Sequence, residues 1–355
     1  MKIHLLSGFL GSGKTTAIQQ ACIQLIKKGN RVGVITNDQG IRLVDGDFFE
    51  HLNIPGRQVV NGCFCCNYND LDDSIQSLIN INQPDIIFAE SVGSCTDIVA
   101  TVMKPLLQYR PETKITISTF ADIRLLKIIL KNDIGIFDKS VRYIYLKQLE
   151  EAEVIVVSKI DLVNNESLQE IKEMMNEKYG DKILLYQNSF DAINLQQWLR
   201  VLDNKPFATP SSLHIDYDIY GEGEAKLAWQ DQELEIYSTN YNATQAAIDL
   251  MNTISREIQL NKYPVGHLKF LLNGETKFNY TYAQQEKFMA SVTNKKDNSS
   301  KLLINARVQT SPKKLSQLMS EAVTETEMKS CCKMSVKSIA SFQPGYPKPT
   351  YRISG

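Results

Sequence analysis

Gly8-Phe9-Leu10-Gly11-Ser12-Gly13-Lys14-Thr15 is the stretch whose reading decides the fold. It meets the phosphate-loop pattern GxxxxGK(S/T) at every required position. Lys2 to Ser7, before it, reads as a short buried strand. Thr15 to Lys28, after it, reads as a helix with Ile18, Cys22, Leu25 and Ile26 on one face. Glycines at 8, 11 and 13 let the backbone approach phosphates and turn its N–H groups inward. The helix N-terminus adds its dipole to that anion site. Lys14 is expected to reach the β- and γ-phosphates, and the Thr15 hydroxyl to ligate Mg²⁺. Ser12 and Thr16 belong to the same cradle. An ordinary Gly-rich turn is the plain alternative, and the strand and helix on either side argue against it.

Outward from the loop, strands and helices alternate. Arg31 to Thr36 reads as a second strand running into Asn37-Asp38-Gln39-Gly40. Residues 41–62 show no clean period and read as a long loop, of the kind that carries function. A helix is expected over Asp70 to Asn80, a strand over Asp85 to Glu90, and a helix over 98–108. Lys114 to Phe120 reads as a fourth strand, followed by helices at 122–131 and 139–151. Strands at Val154 to Ser158 and Ile183 to Tyr186 enclose a helix at 166–179, and Gln196 to Leu202 closes the unit. This alternation predicts an α/β class: a mostly parallel P-loop NTPase sheet with helices on both faces.

Pro206, Ser211 and Ser212 interrupt the pattern, so residues 1–204 read as one domain and 205–212 as a linker. Residues 213–327 read as a small α+β domain. Its expected strands are Leu213 to Tyr220, Leu234 to Ser238, 265–272 and 301–308, with helices at 243–260 and 312–327. Residues 328–355, with Pro344, Gly345, Pro347 and Pro349, read as a mobile tail.

Three further motifs carry chemistry. Glu90-Ser91-Val92-Gly93 follows a strand; Glu90 can hold Mg²⁺ through water and orient an attacking water, and the Gly93 N–H can sense a γ-phosphate. Ser158-Lys159-Ile160-Asp161 fits a guanine-recognition motif. Asp161 can accept from guanine N1–H and the 2-amino group, a donor pair that adenine lacks, while Lys159 lays its stem on the base. Asp161 as a helix cap is the structural alternative. Cys63-x-Cys65-Cys66 places three thiols within four residues, which suits a soft metal, Zn²⁺ above all. Three thiolates leave one tetrahedral position for water, another residue or a partner; a structural zinc site is the alternative. Cys95 reads as a fourth ligand or as a small buried residue. Cys331-Cys332 reads as two bystanders or as a place to pass metal on. The four histidines form no ligand cluster.

The phosphate loop through Thr16, Gly62-Cys63-Phe64-Cys65-Cys66, Glu90-Ser91-Val92-Gly93 and Ser158-Lys159-Ile160-Asp161 occur in one order that resembles the CobW-like GTPases, relatives of the nickel-insertion proteins HypB and UreG. The resemblance covers most of residues 1–200, and residues 213–327 look like the family's C-terminal domain. It implies a GTPase that binds GTP and Mg²⁺ and couples hydrolysis to delivery of a metal, Zn²⁺ or Co²⁺, held at Cys63, Cys65 and Cys66. It also implies a client metalloprotein, and places Asp38 with Lys14, Thr15, Glu90 and Gly93 in the catalytic set. The sequence departs from the family in three places. Asn37-Asp38-Gln39-Gly40 stands where Asn-Glu-Phe-Gly is usual, Ser158 replaces the commoner Asn, and no His-rich linker is present. Ser341 to Arg352 looks like the tail of members associated with corrinoid-dependent methyl transfer, which makes a corrinoid-dependent enzyme a candidate client.

Composition agrees with this class. Thirty-nine Lys and Arg balance 40 Asp and Glu, so no pull toward nucleic acid or a membrane surface is expected. No apolar run is long enough to span a bilayer, and the N-terminus enters the first strand at once; a cytoplasmic protein is expected. Seven cysteines, odd in number and unevenly spread, do not form a disulfide framework. A homodimer is left open. Two rival functions stand beside metal delivery: an activator of a corrinoid enzyme whose cysteines sense metal, and a nucleotide-gated binding module with negligible turnover.

Overall fold

The computed structural model describes residues 1–39, 49, 54–131, 136–204, 209–281 and 297–354. Gly40 of the Asn37-Asp38-Gln39-Gly40 stretch, residues 41–48 and 50–53 of the expected long loop, and 205–208 of the expected linker lie outside the described residues. The chain divides into two compact units. The first holds Met1–Gln39, Phe49–Gly223 and Tyr346–Gly355, and the second holds Glu224–Gly345.

The first unit is built on seven parallel strands: β1 (Lys2–Ser7), β2 (Val32–Asn37), β3 (Gly56–Val59), β4 (Ile86–Glu90), β5 (Lys114–Asp122), β6 (Val154–Ser158) and β7 (Ile183–Gln187). Their order is β3-β2-β4-β1-β5-β6-β7. The inner strands β2, β4 and β6 are rich in Val and Ile and buried on both faces, as a parallel sheet requires. On one face Leu6, Phe88 and Phe120 meet Ile18 and Cys22 of the helix Lys14–Lys27 and Trp198 of the helix Ala192–Asn204. On the other, Gly33 and Ile87 are register partners, and Leu78 of the helix Tyr68–Asn82 lies against Gly33. The predicted α/β class holds. β3 is an addition to the expected strands, inside the stretch read as a loop.

β1 lies between β4 and β5, while the chain runs from β1 to β2 and only later returns to fill the gap with β4. Carboxyl ends of neighbouring strands at such a reversal diverge and leave a crevice. Leu6 and Thr36 flank Glu90 as register partners. The phosphate loop and the ends of β2 and β4 therefore open on the same edge of the sheet.

The second unit has five antiparallel strands: β8 (Leu227–Tyr237), β9 (Val265–Leu272), β10 (Thr276–Tyr280), β11 (Ser299–Gln309) and β12 (Lys333–Phe342). Their order is β10-β9-β11-β8-β12. Two helices, Ala243–Leu260 and Pro312–Ser330, bury their apolar faces on it, with Met251, Ile254 and Leu315 packed among Leu234, Phe270 and Ile304. This is the expected small α+β unit, with three corrections. Leu213 to Tyr220, expected as this domain's first strand, instead enters a helix at Tyr217–Ala225 and lies in the first unit. β10 is a further strand. Residues 328–355, expected as a tail, begin with the end of a helix and the ten-residue strand β12 paired to β8.

Candidate nucleotide and metal site

In the phosphate loop Gly8, Gly11 and Gly13 all have positive φ, a region costly for other residues. Gly13 caps the helix Lys14–Lys27, and Thr15 and Thr16 form its first turn. The Lys14 ammonium donates to the Gly8 carbonyl at 2.6 Å, lying back along the loop. The Thr15 hydroxyl donates to Glu90 Oε1 at 2.9 Å, so the two groups expected around Mg²⁺ already meet. The buried Ser12 hydroxyl finds no hydrogen-bond partner among the described residues. An orphaned buried donor in a glycine cradle, beside a lysine and a helix N-terminus, fits a phosphate ligand.

Ser158 and Lys159 brace this loop from the end of β6. Ser158 Oγ donates to the Ser12 carbonyl at 2.6 Å, and Lys159 Nζ to the Gly11 carbonyl at 2.7 Å. Lys159 also pairs with Asp122 at 2.9 Å. Burial would raise the Asp122 carboxyl, but Arg124 and Lys159 outweigh it and hold it down at about 2. The lysine is thus fixed by a carboxylate that sequence reading passed over. Asp161 stands exposed in the short turn Ile160–Leu162.

Gly93 marks a second close approach. A Cβ there would come within 2.8 Å of the Leu10 backbone nitrogen, so the segment after β4 lies directly on the phosphate loop. Gln148 holds the segment from the other side, donating to the Gly93 and Cys95 carbonyls at 3.0 and 2.7 Å.

The cysteine motif hangs from the end of β2. Asn37 Nδ2 donates to the Val59 and Gly62 carbonyls at 3.0 and 2.7 Å, and Asn37 Oδ1 accepts from the Phe64 N–H at 2.8 Å. Asp38 donates its own N–H to Val59 at 3.2 Å. Asn37 drew no role from the sequence; its place next to Asp38 at a strand end was the available signal. A tight turn, with Cys66 and Asn67 N–H groups on the Cys63 carbonyl, gathers the three thiols. Their sulfurs are 2.8, 3.3 and 3.8 Å apart. A tetrahedral zinc with Zn–S bonds of about 2.3 Å sets its sulfurs roughly 3.8 Å apart; the donor set matches zinc in chemistry, Cys65 and Cys66 stand at that spacing, and Cys63 stands closer to both than a bound zinc would allow.

The thiols share one acidic proton balance. Hydrogen bonds from Cys65, Cys66 and Cys95 pull Cys63 well below the ordinary thiol value. Sharing hydrogen bonds with Cys63 pushes Cys65 up, and Cys66 to about 11. A metal would replace these shared protons, so its binding here would release protons and strengthen as pH rises. Cys63 and Cys65 are buried, and Cys66 is half-buried.

The last residues lie across this motif. Thr350 donates its N–H to the Cys65 carbonyl and its hydroxyl to the Cys66 carbonyl, both at 2.8 Å. The Lys348 N–H points at Cys66 Sγ at 3.3 Å. Tyr351 packs edge-on to Tyr68, and Arg352 pairs with the buried Asp97 at 2.7 Å. Sequence reading missed this strap, because a short segment broken by Pro347 and Pro349 has no periodicity to betray a docking site.

A family model described as the CobW/HypB/UreG nucleotide-binding domain matches residues 2–184. The chain is 26% identical to the zinc chaperone YeiR of Escherichia coli over 189 residues, 52% of this chain and 54% of YeiR. It is 33% identical to the zinc chaperone YjiA of the same organism over 96 residues, 26% of this chain and 30% of YjiA. The chain thus spans about half the length, or less, of these relatives. The crystal structure of Helicobacter pylori HypB in complex with nickel matches with a TM-score of 0.44 at 16% identity, over 60% of this chain and 91% of that one. That likeness is too remote to bear on function.

Proposed function

The chain belongs to the CobW/HypB/UreG family through its nucleotide-binding domain, and from that premise we propose that it is a Mg²⁺-dependent GTP hydrolase that delivers a metal to a client metalloprotein. The observation that carries this reading is the shared strand edge: the three thiols hang from Asn37 at the end of β2, beside Glu90 at the end of β4. Zinc is the favoured cargo, from the thiol donor set and from the zinc-chaperone relatives, with Co²⁺ as the alternative.

Each residue has a role in this reading. Backbone N–H groups at Gly8, Gly11, Ser12 and Gly13 cradle the phosphates, with Thr16 in the first helical turn behind them. Lys14 offsets the charge developing on the transferred phosphoryl group. Thr15 and Glu90, already hydrogen-bonded to each other, would hold Mg²⁺, which when bound would neutralise phosphate charge. Glu90 and Asp38 flank the place where water attacks, and the Gly93 N–H faces the γ-phosphate. Ser158, Lys159 and Asp161 select guanine. Cys63, Cys65 and Cys66 hold the cargo.

Steady-state phosphate release from GTP tests the enzyme half of this reading. Wild type should turn over, and folded Lys14→Ala should lose at least ~10²-fold in turnover and bind nucleotide more weakly. Normal turnover by folded Lys14→Ala would contradict the assignment. GTP binding without turnover in wild type would leave a nucleotide-gated binding module. A second reading, activation of a corrinoid-dependent enzyme, draws support from the terminal segment, which resembles that of such activators and lies on the cysteine motif. Metal transfer to a purified client, against reactivation with no metal moved, separates the two.

A further inference from the structure

Residues 346–354 lie on the first unit as an extended strap, and we infer that this strap is a removable lid that governs access to Cys66. The use of such a lid, controlled release of a bound metal, rests on the metal-binding reading of Cys63, Cys65 and Cys66. Cys63 and Cys65 are buried, and Cys66 alone of the three is half-buried, so a chelator or a client's donor atom reaches the group from its side. The strap crosses on that side. The Lys348 N–H points at Cys66 Sγ at 3.3 Å, and Thr350 is bonded to the carbonyls of Cys65 and Cys66.

The attachment is of a kind that comes off. Residues 346–354 form no helix or strand, and Pro347, seated against Gly221, is the one fully buried residue among them. Pro347 and Pro349 pre-set an extended backbone, so docking orders few dihedrals and release needs no refolding. What holds the strap is a short set of polar bonds and one ring. Tyr351 sits against Tyr68 and Tyr109, with ring centres 5.1 and 5.5 Å away. Ile353 fixes the far end, its N–H on the Ala100 carbonyl and its carbonyl accepting from Ser212.

The latch is Arg352 on Asp97. Arg352 Nε donates to the Asp97 carboxylate at 2.7 Å, and the Tyr217 hydroxyl donates to the same oxygen at 2.7 Å. The Asp97 side chain is 1% exposed, and its backbone is left-handed, φ 63°. A carboxylate buried this deeply needs a cation, and the strap brings it. Asp97 also lies on the same stretch as Gly93, which meets the phosphate loop, so latch and nucleotide site share one support.

Two rates test the lid. In the metal-free protein, alkylation of Cys66 by iodoacetamide, read by peptide mass spectrometry, reports opening with no metal involved. Arg352→Ala should raise it at least ~10-fold, because a charge-assisted bond to a buried carboxylate is lost. Deleting residues 346–355 should raise it at least as far, and a synthetic peptide of residues 346–355, added in excess, should slow it again. In the zinc-loaded protein, the same two variants should pass zinc to a chromophoric chelator at least ~10-fold faster than wild type. Equal Cys66 alkylation in wild type and both variants, or a deletion variant that the peptide does not slow, would overturn the lid. Faster alkylation with unchanged zinc release would overturn its role in holding metal. Wild type that retains no zinc would fail the metal-binding reading itself, while the alkylation rates would still decide whether the strap opens.

Discussion

Asp161 stands exposed beyond a lysine whose own backbone is left-handed, φ 61°. Lys159 takes that conformation to reach Gly11 and Asp122, and the turn then presents Asp161 to solvent, where a base would lie. Asp161→Asn should cut the preference for GTP over ATP by ~10²-fold or more, because an amide no longer accepts both guanine protons. Competition between the two nucleotides measures this, and an unchanged preference would remove Asp161 from base recognition. Glu151 gives a second test. It is fully buried at the end of the helix Lys139–Glu151 and accepts from Thr96 Oγ1 at 3.4 Å and the Val99 N–H at 3.3 Å. Burial first, then the nearby Asp97, lifts its carboxyl to about 8. The folded protein thus binds this proton more tightly than the unfolded chain, where a glutamate titrates near 4.3. The resulting stabilisation is complete below about pH 4.3 and is lost as pH rises toward 8. Glu151→Gln, which cannot ionise, should gain in melting temperature relative to wild type as pH rises from about 5 to 8. A difference that stays constant with pH would contradict this. Nothing in the sequence marks Glu151, because a lone acid at a helix end looks solvated until its burial is known.

Among the elements, those with a strong period were legible. The helices at 139–151 and 243–260 and the strand at 154–158 stand where apolar spacing put them. What was missed lacked that signal. β3 is four residues, Gly-Arg-Gln-Val, with one buried side chain. β12 lies at a sheet edge and is mostly exposed, so its pairing to β8 rests on backbone bonds rather than on an apolar face. The helix Tyr217–Ala225 holds Gly221 and Gly223, poor helix formers that leave it no helical signal. Asp216 caps it, accepting from the Asp218 and Ile219 N–H groups, and Gly223 is there for close packing: a Cβ would meet the Ser140 carbonyl at 2.5 Å. The joint between β2 and the cysteine loop makes its own prediction. Asn37→Ala removes three hydrogen bonds that hold Val59, Gly62 and Phe64. Each bond is worth about 1 kcal/mol, and zinc affinity should fall ~10–100-fold as the thiols lose their frame. Chelator competition reads this out, and unchanged affinity would make Asn37 a bystander.

Across the molecule, sequence motifs located the phosphate loop, the thiols and the Ser158–Asp161 turn because each packs its residues into a short stretch. What binds them into one site came from the fold: Asn37, Gly93 against Leu10, Gln148, and the terminal strap on Cys65 and Cys66. These link residues far apart in the chain, and no local pattern encodes them. No helix among the described residues is long and apolar enough to cross a membrane. The first unit alone holds every one of these groups, with strand ends as the shared frame. A loop that feels the γ-phosphate reorganises on hydrolysis, so the thiols should be arranged differently in the two nucleotide states. Linkage then requires that metal alter GTP affinity by the same factor by which GTP alters metal affinity. The direct measurement is a titration against a chromophoric zinc chelator, run once with Mg²⁺ and a non-hydrolysable GTP analogue and once with GDP. The triphosphate form should hold zinc about 5–100-fold tighter, about 1–3 kcal/mol. Replacing Cys63, Cys65 and Cys66 by Ser should erase the difference and leave GTP binding intact. Equal zinc affinity in the two nucleotide states would contradict the coupling and reduce the cysteine motif to a structural staple.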